Sequence, residues 1–305
     1  MSQPKIIDTR MHGLEGITAA FLVEGEKTAL VETGPKSSLE AVAAGLAAAG
    51  VESLDWIVVT HIHLDHAGAA GSLALRFPEA KVAVHEVGAP HLVDPSKLWS
   101  SASRIYGDEM ESLWGGIDPI PADRIQTLAD GDKIDLGGRS LQAIETPGHA
   151  RHHHALLDDQ TGIVFTGDAL GVRLPEVGIM RPATPPPEFN LEDAKASIRR
   201  LATIGATSLW LTHFGPAEAG QRATDIAETA ERAMEALDGW AEWVEEARAE
   251  GLDLDDAAVF VQGRVEASLG GTISRAAIDR MQQTTSYWMN TWGYMRYMDK
   301  REQAR

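Results

Sequence analysis

The stretch Trp56-Ile57-Val58-Val59-Thr60-His61-Ile62-His63-Leu64-Asp65-His66 decides how this chain is read. Its first five residues form an apolar, largely β-branched run, the composition of a strand buried on both faces. The run stops at His61. Three imidazoles and one carboxylate then fall within the six residues His61 to His66. On a tight turn after a buried strand these side chains can converge from one backbone segment. His61 and His63 can point to one metal ion, and Asp65 and His66 can reach a second. Imidazole nitrogens and carboxylate oxygens are ligands that zinc and iron accept. A single histidine after a strand is more often a surface or core group. Four such groups left unpaired in one buried place would be costly.

Working outward, three more stretches repeat the arrangement. Pro147-Gly148-His149 follows a strand ending at Thr146, Gly167-Asp168 follows Ile163 to Thr166, and Thr212-His213 follows Ser208 to Leu211. Each puts a metal-capable side chain just beyond a strand's C-terminal end, where open α/β sheets place their ligand sites. An Asp after Gly can equally be a turn residue or a helix cap. Four such sites in one chain make coincidence a poor account.

Composition removes other classes. The 305 residues contain no cysteine. Disulfides, thiolate metal sites and cysteine nucleophiles are therefore excluded, and metals are limited to those that accept nitrogen and oxygen. The net charge of -18 repels nucleic acid and anionic membrane surfaces. The expected partner is a small-molecule substrate, with no nucleic acid and no membrane. No apolar run is long enough to span a bilayer, and the first ten residues lack the apolar centre of a secretory signal. The expected location is the cytoplasm.

The pattern along the chain alternates. Short strands are expected over residues 5–33, a helix from Ser38 to Ala49 stopped by Gly50, and a further helix from Ala67 to Arg76. Lys81 to His85, Ser140 to Glu145 and Ser208 to Thr212 read as strands. Residues 87–121 read as an inserted helical or loop excursion. Pro182 to Pro187 is a stiff loop. Asn190 is placed to cap a helix from Leu191 to Ile204, with Gly205 just past its end. After Gly220 apolar residues recur at three- and four-residue steps, which predicts an amphipathic helix of about 28 residues. The remaining tail is expected to be helical. This describes a layered α/β region over residues 1–220 and a helical region over 221–305.

With these pieces in place, the chain resembles the metallo-β-lactamase fold superfamily. The resemblance rests on His61-Ile62-His63-Leu64-Asp65-His66, Thr146-Pro147-Gly148-His149, Phe165-Thr166-Gly167-Asp168 and Leu211-Thr212-His213, in that order. It implies an αββα sandwich with a C-terminal helical appendage. It further implies two divalent metal ions, zinc first, with iron or manganese as alternatives. His61, His63 and His149 would hold one ion, and Asp65, His66 and His213 the other. Asp168 would bridge both, together with a water or hydroxide. Asp65 is the candidate for proton handling during bond cleavage.

Within the superfamily, His63 stands where the oxygen-reducing diiron branch carries a carboxylate. Ala169-Leu170-Gly171 follows Asp168 where lactonases carry a tyrosine. Glyoxalase II also has C-terminal helices, but its motif departs from this chain at His152. A closer likeness is to a bacterial and archaeal hydrolase subgroup, through Val84-His85-Glu86 and His91-Leu92-Val93-Asp94-Pro95. The expected activity is hydrolysis of an ester, thioester or lactone. The alternative is a persulfide dioxygenase-like enzyme holding a single iron on His61, His149 and Asp168.

Around this centre, His85 and His91 are candidates for the pocket wall. Of His152, His153 and His154, any could support a metal ligand, with His153 singled out. The plainer expectation is one buried and two partly exposed. The aromatic run Tyr287 to Met298 is expected to pack the helical tail onto the sandwich, with an edge that faces the cleft, or a homodimer contact, as alternatives.

Overall fold

Val31 lies opposite Val58 in a parallel pair of strands, and that register sets the direction of the first sheet. The structure is a computed structural model that describes residues 2–175, 177–217, 226–271 and 273–303. The chain divides into two compact units. Unit 1 is Met1–Glu145 with His152–Gly167, and unit 2 is Thr146–Arg151 with Asp168–Arg305.

Unit 1 opens with β1 (Lys5–Asp8), β2 (Ala19–Glu24) and β3 (Thr28–Val31), paired as antiparallel neighbours. The next strands, β4 (Trp56–Val58), β5 (Lys81–His85) and β6 (Ile125–Leu128), add to β3 in parallel. Parallel neighbours need crossover segments, and helices supply them. α1 (Leu39–Ala48) joins β3 to β4, and α2 (Leu64–Ala67) and α3 (Ala70–Arg76) join β4 to β5. The excursion between β5 and β6 holds three helices, α4 (Ala89–Val93), α5 (Ser96–Tyr106) and α6 (Met110–Trp114).

One face of this sheet packs under the helices. Leu22, Leu30, Ile57, Val59, Val82 and Val84 meet Val42 and Leu46 of α1 and Leu73 of α3, all buried. Removing such a side chain costs about 2–5 kcal/mol, because transfer and cavity terms add. Arg124 then ties down the end of α3, its guanidinium donating to the carbonyls of Ala74, Phe77 and Ala80.

The rest of unit 1 is an antiparallel meander of β7 (Lys133–Asp135), β8 (Ser140–Glu145), β9 (His154–Asp158) and β10 (Ile163–Gly167). Phe165 of β10 stacks on Phe21 of β2 at 5.0 Å between ring centres. Arg139 donates to both oxygens of Asp158 at 2.8 and 2.6 Å, both residues buried, and to the Glu24 carbonyl at 2.9 Å. β9 goes beyond the sequence expectation. Its first residue is a buried histidine, which disguises the strand's apolar alternation.

Unit 2 contains α7 (Leu191–Thr203), capped as expected by Asn190, whose side chain accepts from the amides of Glu192 and Asp193. β11 (Ser208–Leu211) and β12 (Gly215–Pro216) form a short hairpin. Among the described residues four helices follow: α8 (Ile226–Ala249), α9 (Leu254–Ser268), α10 (Arg275–Gln282) and α11 (Tyr287–Gln303). The helix predicted at about 28 residues has 24 described residues. The boundary expected at 220/221 lies outside the described residues. The aromatic run does pack the tail: Tyr287 stacks on Trp240 of α8 and Tyr294 donates to the Leu237 carbonyl. Among the described residues no helix is long and apolar enough to cross a membrane.

Candidate metal centre

In unit 1 the centre begins where β4 runs out. His61, Ile62 and His63 form the turn between strand and helix, and His63 stands at the N-terminus of α2 with φ -63° and ψ 153°. Asp65 and His66 then occupy the first turn of that helix. One strand end, one short bend and one helical turn therefore present all four expected side chains. His61 and His66 are wholly buried. His61 Nε2 lies 2.9 Å from His63 Nδ1, and His66 Nε2 lies 3.6 Å from Asp65 Oδ2.

The protonation of His61 follows from its neighbours. Thr60 Oγ1 has one proton, which it donates to Glu32 Oε1 at 2.5 Å. His61 Nδ1 lies 3.0 Å from the same hydroxyl, so Nδ1 must be the donor there. That tautomer leaves the lone pair on Nε2, the atom that faces His63. Glu32 is wholly buried and also stands 3.3 Å from His66 Nδ1. A single interior carboxylate thus lies beside two imidazoles, one across a 3.3 Å charge contact and one through a hydroxyl.

Sequence reading did not single out Glu32. The available signal was an acidic residue directly after the apolar run Ala29-Leu30-Val31. Its backbone has φ 66°, in the left-handed region, which costs a non-glycine residue about 1–3 kcal/mol. Thr33 fixes the other side of the helical turn, with its amide and hydroxyl both donating to the His66 carbonyl.

The three consecutive histidines correct the plainer expectation. His152, His153 and His154 are 7, 0 and 1% exposed, so all three are buried rather than one. His154 opens β9, and His152 and His153 lie in the turn just before it. The His153 ring centre is 4.9 Å from that of His61. Gly167 makes room for it: with φ 51°, an added Cβ there would fall 2.5 Å from His153 Nε2. His154 Nε2 donates to the Val59 carbonyl at 3.0 Å. Burial first, and then the charge of His85, push its pKa down to about 3, so it is neutral. His85, at the end of β5, is buried 3.5 Å from Glu145 Oε1, and His91 is half-buried on α4. Tyr106 of α5 is a further residue that sequence reading did not mark for the site. Burial, and then the charge of Asp65, raise its hydroxyl pKa well above the usual value, so it stays a protonated donor.

In unit 2 three more expected residues come together. His149 follows Gly148, whose φ is 130° and where any Cβ would sit 2.3 Å from the α7 backbone at Ala194. Only glycine lets that turn approach the helix so closely. His149 Nδ1 lies 2.9 Å from the Ala183 carbonyl, which can only accept, so Nδ1 carries the proton and Nε2 the lone pair. Asp168 stands between two imidazoles. Its Oδ2 is 3.6 Å from His149 Nε2, and its Oδ1 is 3.7 Å from His213 Nε2. The His213 carbonyl accepts from the Arg173 amide, which anchors the end of the β11 segment.

The donor set suits a metal in chemistry and in spacing. Two donors each about 2.1 Å from one ion at the tetrahedral angle lie about 3.4 Å apart. The Asp–His separations of 3.6 and 3.7 Å are close to that and are long for a direct hydrogen bond. The side chains able to hold an ion are His61, His63, Asp65 and His66 in unit 1, and His149, Asp168 and His213 in unit 2.

The family profile of the metallo-beta-lactamase superfamily matches residues 13–213. A metallo-beta-lactamase fold-containing protein of Sulfurisphaera tokodaii is 33% identical over 175 residues, 56% of this chain and 62% of that protein. The crystal structure of that archaeal protein aligns with a TM-score of 0.57 and 26% identity, covering 73% of this chain and 93% of the other. A coenzyme F420H(2) oxidase of Methanothermobacter marburgensis is 31% identical over 53% of this chain and 37% of its own length. A hydroxyacylglutathione hydrolase of Aeromonas hydrophila is 34% identical over 38% of this chain and 34% of its own length. The chain thus spans less than two thirds of each of these three relatives.

Proposed function

The chain belongs to the metallo-β-lactamase superfamily, with its αββα sandwich and additional C-terminal helices, and from that premise we propose that it is a dinuclear metal-dependent hydrolase of an ester, thioester or lactone. The superfamily includes hydrolases among the relatives of this chain, and His/Asp groups suited to metal are present. The observation that carries the finer reading is Asp168, each of whose oxygens faces a different imidazole. A carboxylate so placed is suited to bridge two ions. His61, His63 and His149 would hold one, and Asp65, His66 and His213 the other. Two divalent ions there would lower the pKa of water enough to supply hydroxide near neutral pH and would polarise a carbonyl oxygen.

The chain's own groups do the rest. The Nδ1–H tautomers of His61 and His149 keep their Nε2 lone pairs available. Glu32 holds the His61 and His66 rings in place. Asp65 is partly exposed and is the group we assign to receive and return a proton during bond cleavage. The family match ends at residue 213, which supports residues 1–220 as the catalytic region and 221–305 as a helical region.

The test is elemental analysis of protein purified without chelators or metal-binding tags, followed by thioester and lactone hydrolysis assays. About two zinc or other divalent ions per chain is the expected result. One iron per chain, with oxygen uptake on persulfides and no hydrolysis, would overturn it in favour of the persulfide dioxygenase-like alternative.

A further inference from the structure

We infer that the C-terminal helix α11 is a working part of the metal centre, because Asn290 and Gly293 set the position of the carbonyl that orients His149. The inference rests on the reading of His149 as a metal ligand. The carbonyl belongs to Ala183, in a segment without helix or strand hydrogen bonding at residues 182–185. Such a segment holds a carbonyl in place only if something else fixes the peptide units on either side.

Asn290 fixes both. It is wholly buried. Its Nδ2 donates to the Pro182 carbonyl at 2.7 Å, and its Oδ1 accepts from the Thr184 amide at 2.9 Å. One side-chain amide therefore grips the residue before Ala183 and the residue after it. Thr184 Oγ1 closes the ring by donating to the Asn290 carbonyl at 3.1 Å. Asn290 is itself held, since Thr285 Oγ1 donates to the same Oδ1 at 2.8 Å. Removing the amide would leave a buried carbonyl and a buried N–H without partners, which drives the segment to move.

Gly293 acts on the same segment from one helical turn further along α11. A Cβ there would lie 1.7 Å from the Thr184 carbonyl oxygen. Helix backbone and loop backbone touch at that point, so any side chain must push the loop away. The path from α11 to the metal ligand is then short: Asn290 to the Pro182 and Thr184 peptides, Ala183 carbonyl to His149 Nδ1, and His149 Nε2 to Asp168. Asn290 is a positioning residue. It touches neither substrate nor metal.

The test uses the full chain, with Asn290→Ala and Gly293→Ala as variants and Tyr294→Phe as a control. Tyr294 lies on the same helix, and its hydroxyl donates to the Leu237 carbonyl, away from the 182–184 segment. Ring-nitrogen NMR shifts of 15N-labelled histidine are read in the metal-free protein, with His149→Ala assigning the signal. Zinc alone is then titrated against a chromophoric chelator. The expected result is one Nδ1–H tautomer at His149 in the wild type and a tautomer mixture in both variants. Zinc binding should weaken about tenfold in both. Tyr294→Phe should lower the melting temperature and leave tautomer and zinc affinity as in the wild type. If Asn290→Ala does not fold, Thr285→Val removes only the hydroxyl behind Asn290, and the same two readings decide. Wild-type tautomer and zinc affinity in the folded variants would overturn the inference. If His149→Ala bound zinc as tightly as the wild type, the metal assignment would fall, while the metal-free tautomer would still decide whether Asn290 orients His149.

Discussion

Glu32 Oε1 lies 3.3 Å from His66 Nδ1, with both side chains wholly shut off from solvent. The same oxygen accepts the Thr60 hydroxyl proton that in turn makes His61 Nδ1 a donor. A carboxylate with these neighbours acts on two candidate ligands at once. Glu32→Gln keeps the volume and an acceptor oxygen but removes the negative charge, so both partners face a weaker acceptor. Metal affinity should fall about 10–100-fold. Chelator competition measures it, and wild-type affinity in a folded variant would remove Glu32 from the centre.

Asp168→Ala takes away the carboxylate that stands between His149 and His213. Metal content per chain should fall and hydrolytic activity should disappear. Elemental analysis of the purified variant beside an activity assay checks both. A fully active Asp168→Ala enzyme would refute the bridging role.

His154 gives a pH prediction with a definite sign. Burial depresses its folded pKa to about 3, from the ordinary imidazole value of 6.5. The unfolded chain therefore binds a proton that the folded chain refuses. The stability tied to His154 is fully present above about pH 6.5 and declines as pH falls toward 3, by at most about 1.4 kcal/mol per pH unit. His154→Gln keeps an N–H for the Val59 carbonyl and does not titrate. Urea unfolding of metal-free protein across pH 4–7 should show the wild type losing stability relative to this variant as pH drops. Parallel curves would show that His154 is not the group responsible.

Arg139 and Asp158 make the buried two-point ion pair of unit 1. Arg139→Met preserves much of the side-chain volume and strands the Asp158 carboxylate in the interior. Removing one partner of a buried pair costs about 3–5 kcal/mol. Denaturant unfolding should show a loss of that size, and a loss under about 1 kcal/mol would mean that solvent reaches Asp158 in the variant.

The sequence by itself determined the features that one segment encodes. Trp56 to His66 carries strand composition, a strand stop and four ligating side chains without help from elsewhere, so both the strand and the cluster were legible. Asn190 was readable as a cap because a cap is satisfied by amides two and three residues ahead. The recurrence of a His or Asp just beyond a strand located His149, Asp168 and His213. Tertiary structure alone decided what surrounds them. Glu32 meets Thr60 because β3 and β4 pair in parallel in the register Val31 to Val58, which brings both strand ends to one edge. His154 is buried where β9 pairs with β8 in the register Glu145 to His154, and the turn before it buries His152 and His153 as well. Asn290 reaches the peptides beside Ala183 from more than a hundred positions along the chain. A sequence shows which groups can donate, accept or bind a metal. Which donor faces which acceptor depends on strand register and helix packing between distant segments, because burial leaves each polar group only the partners that packing provides.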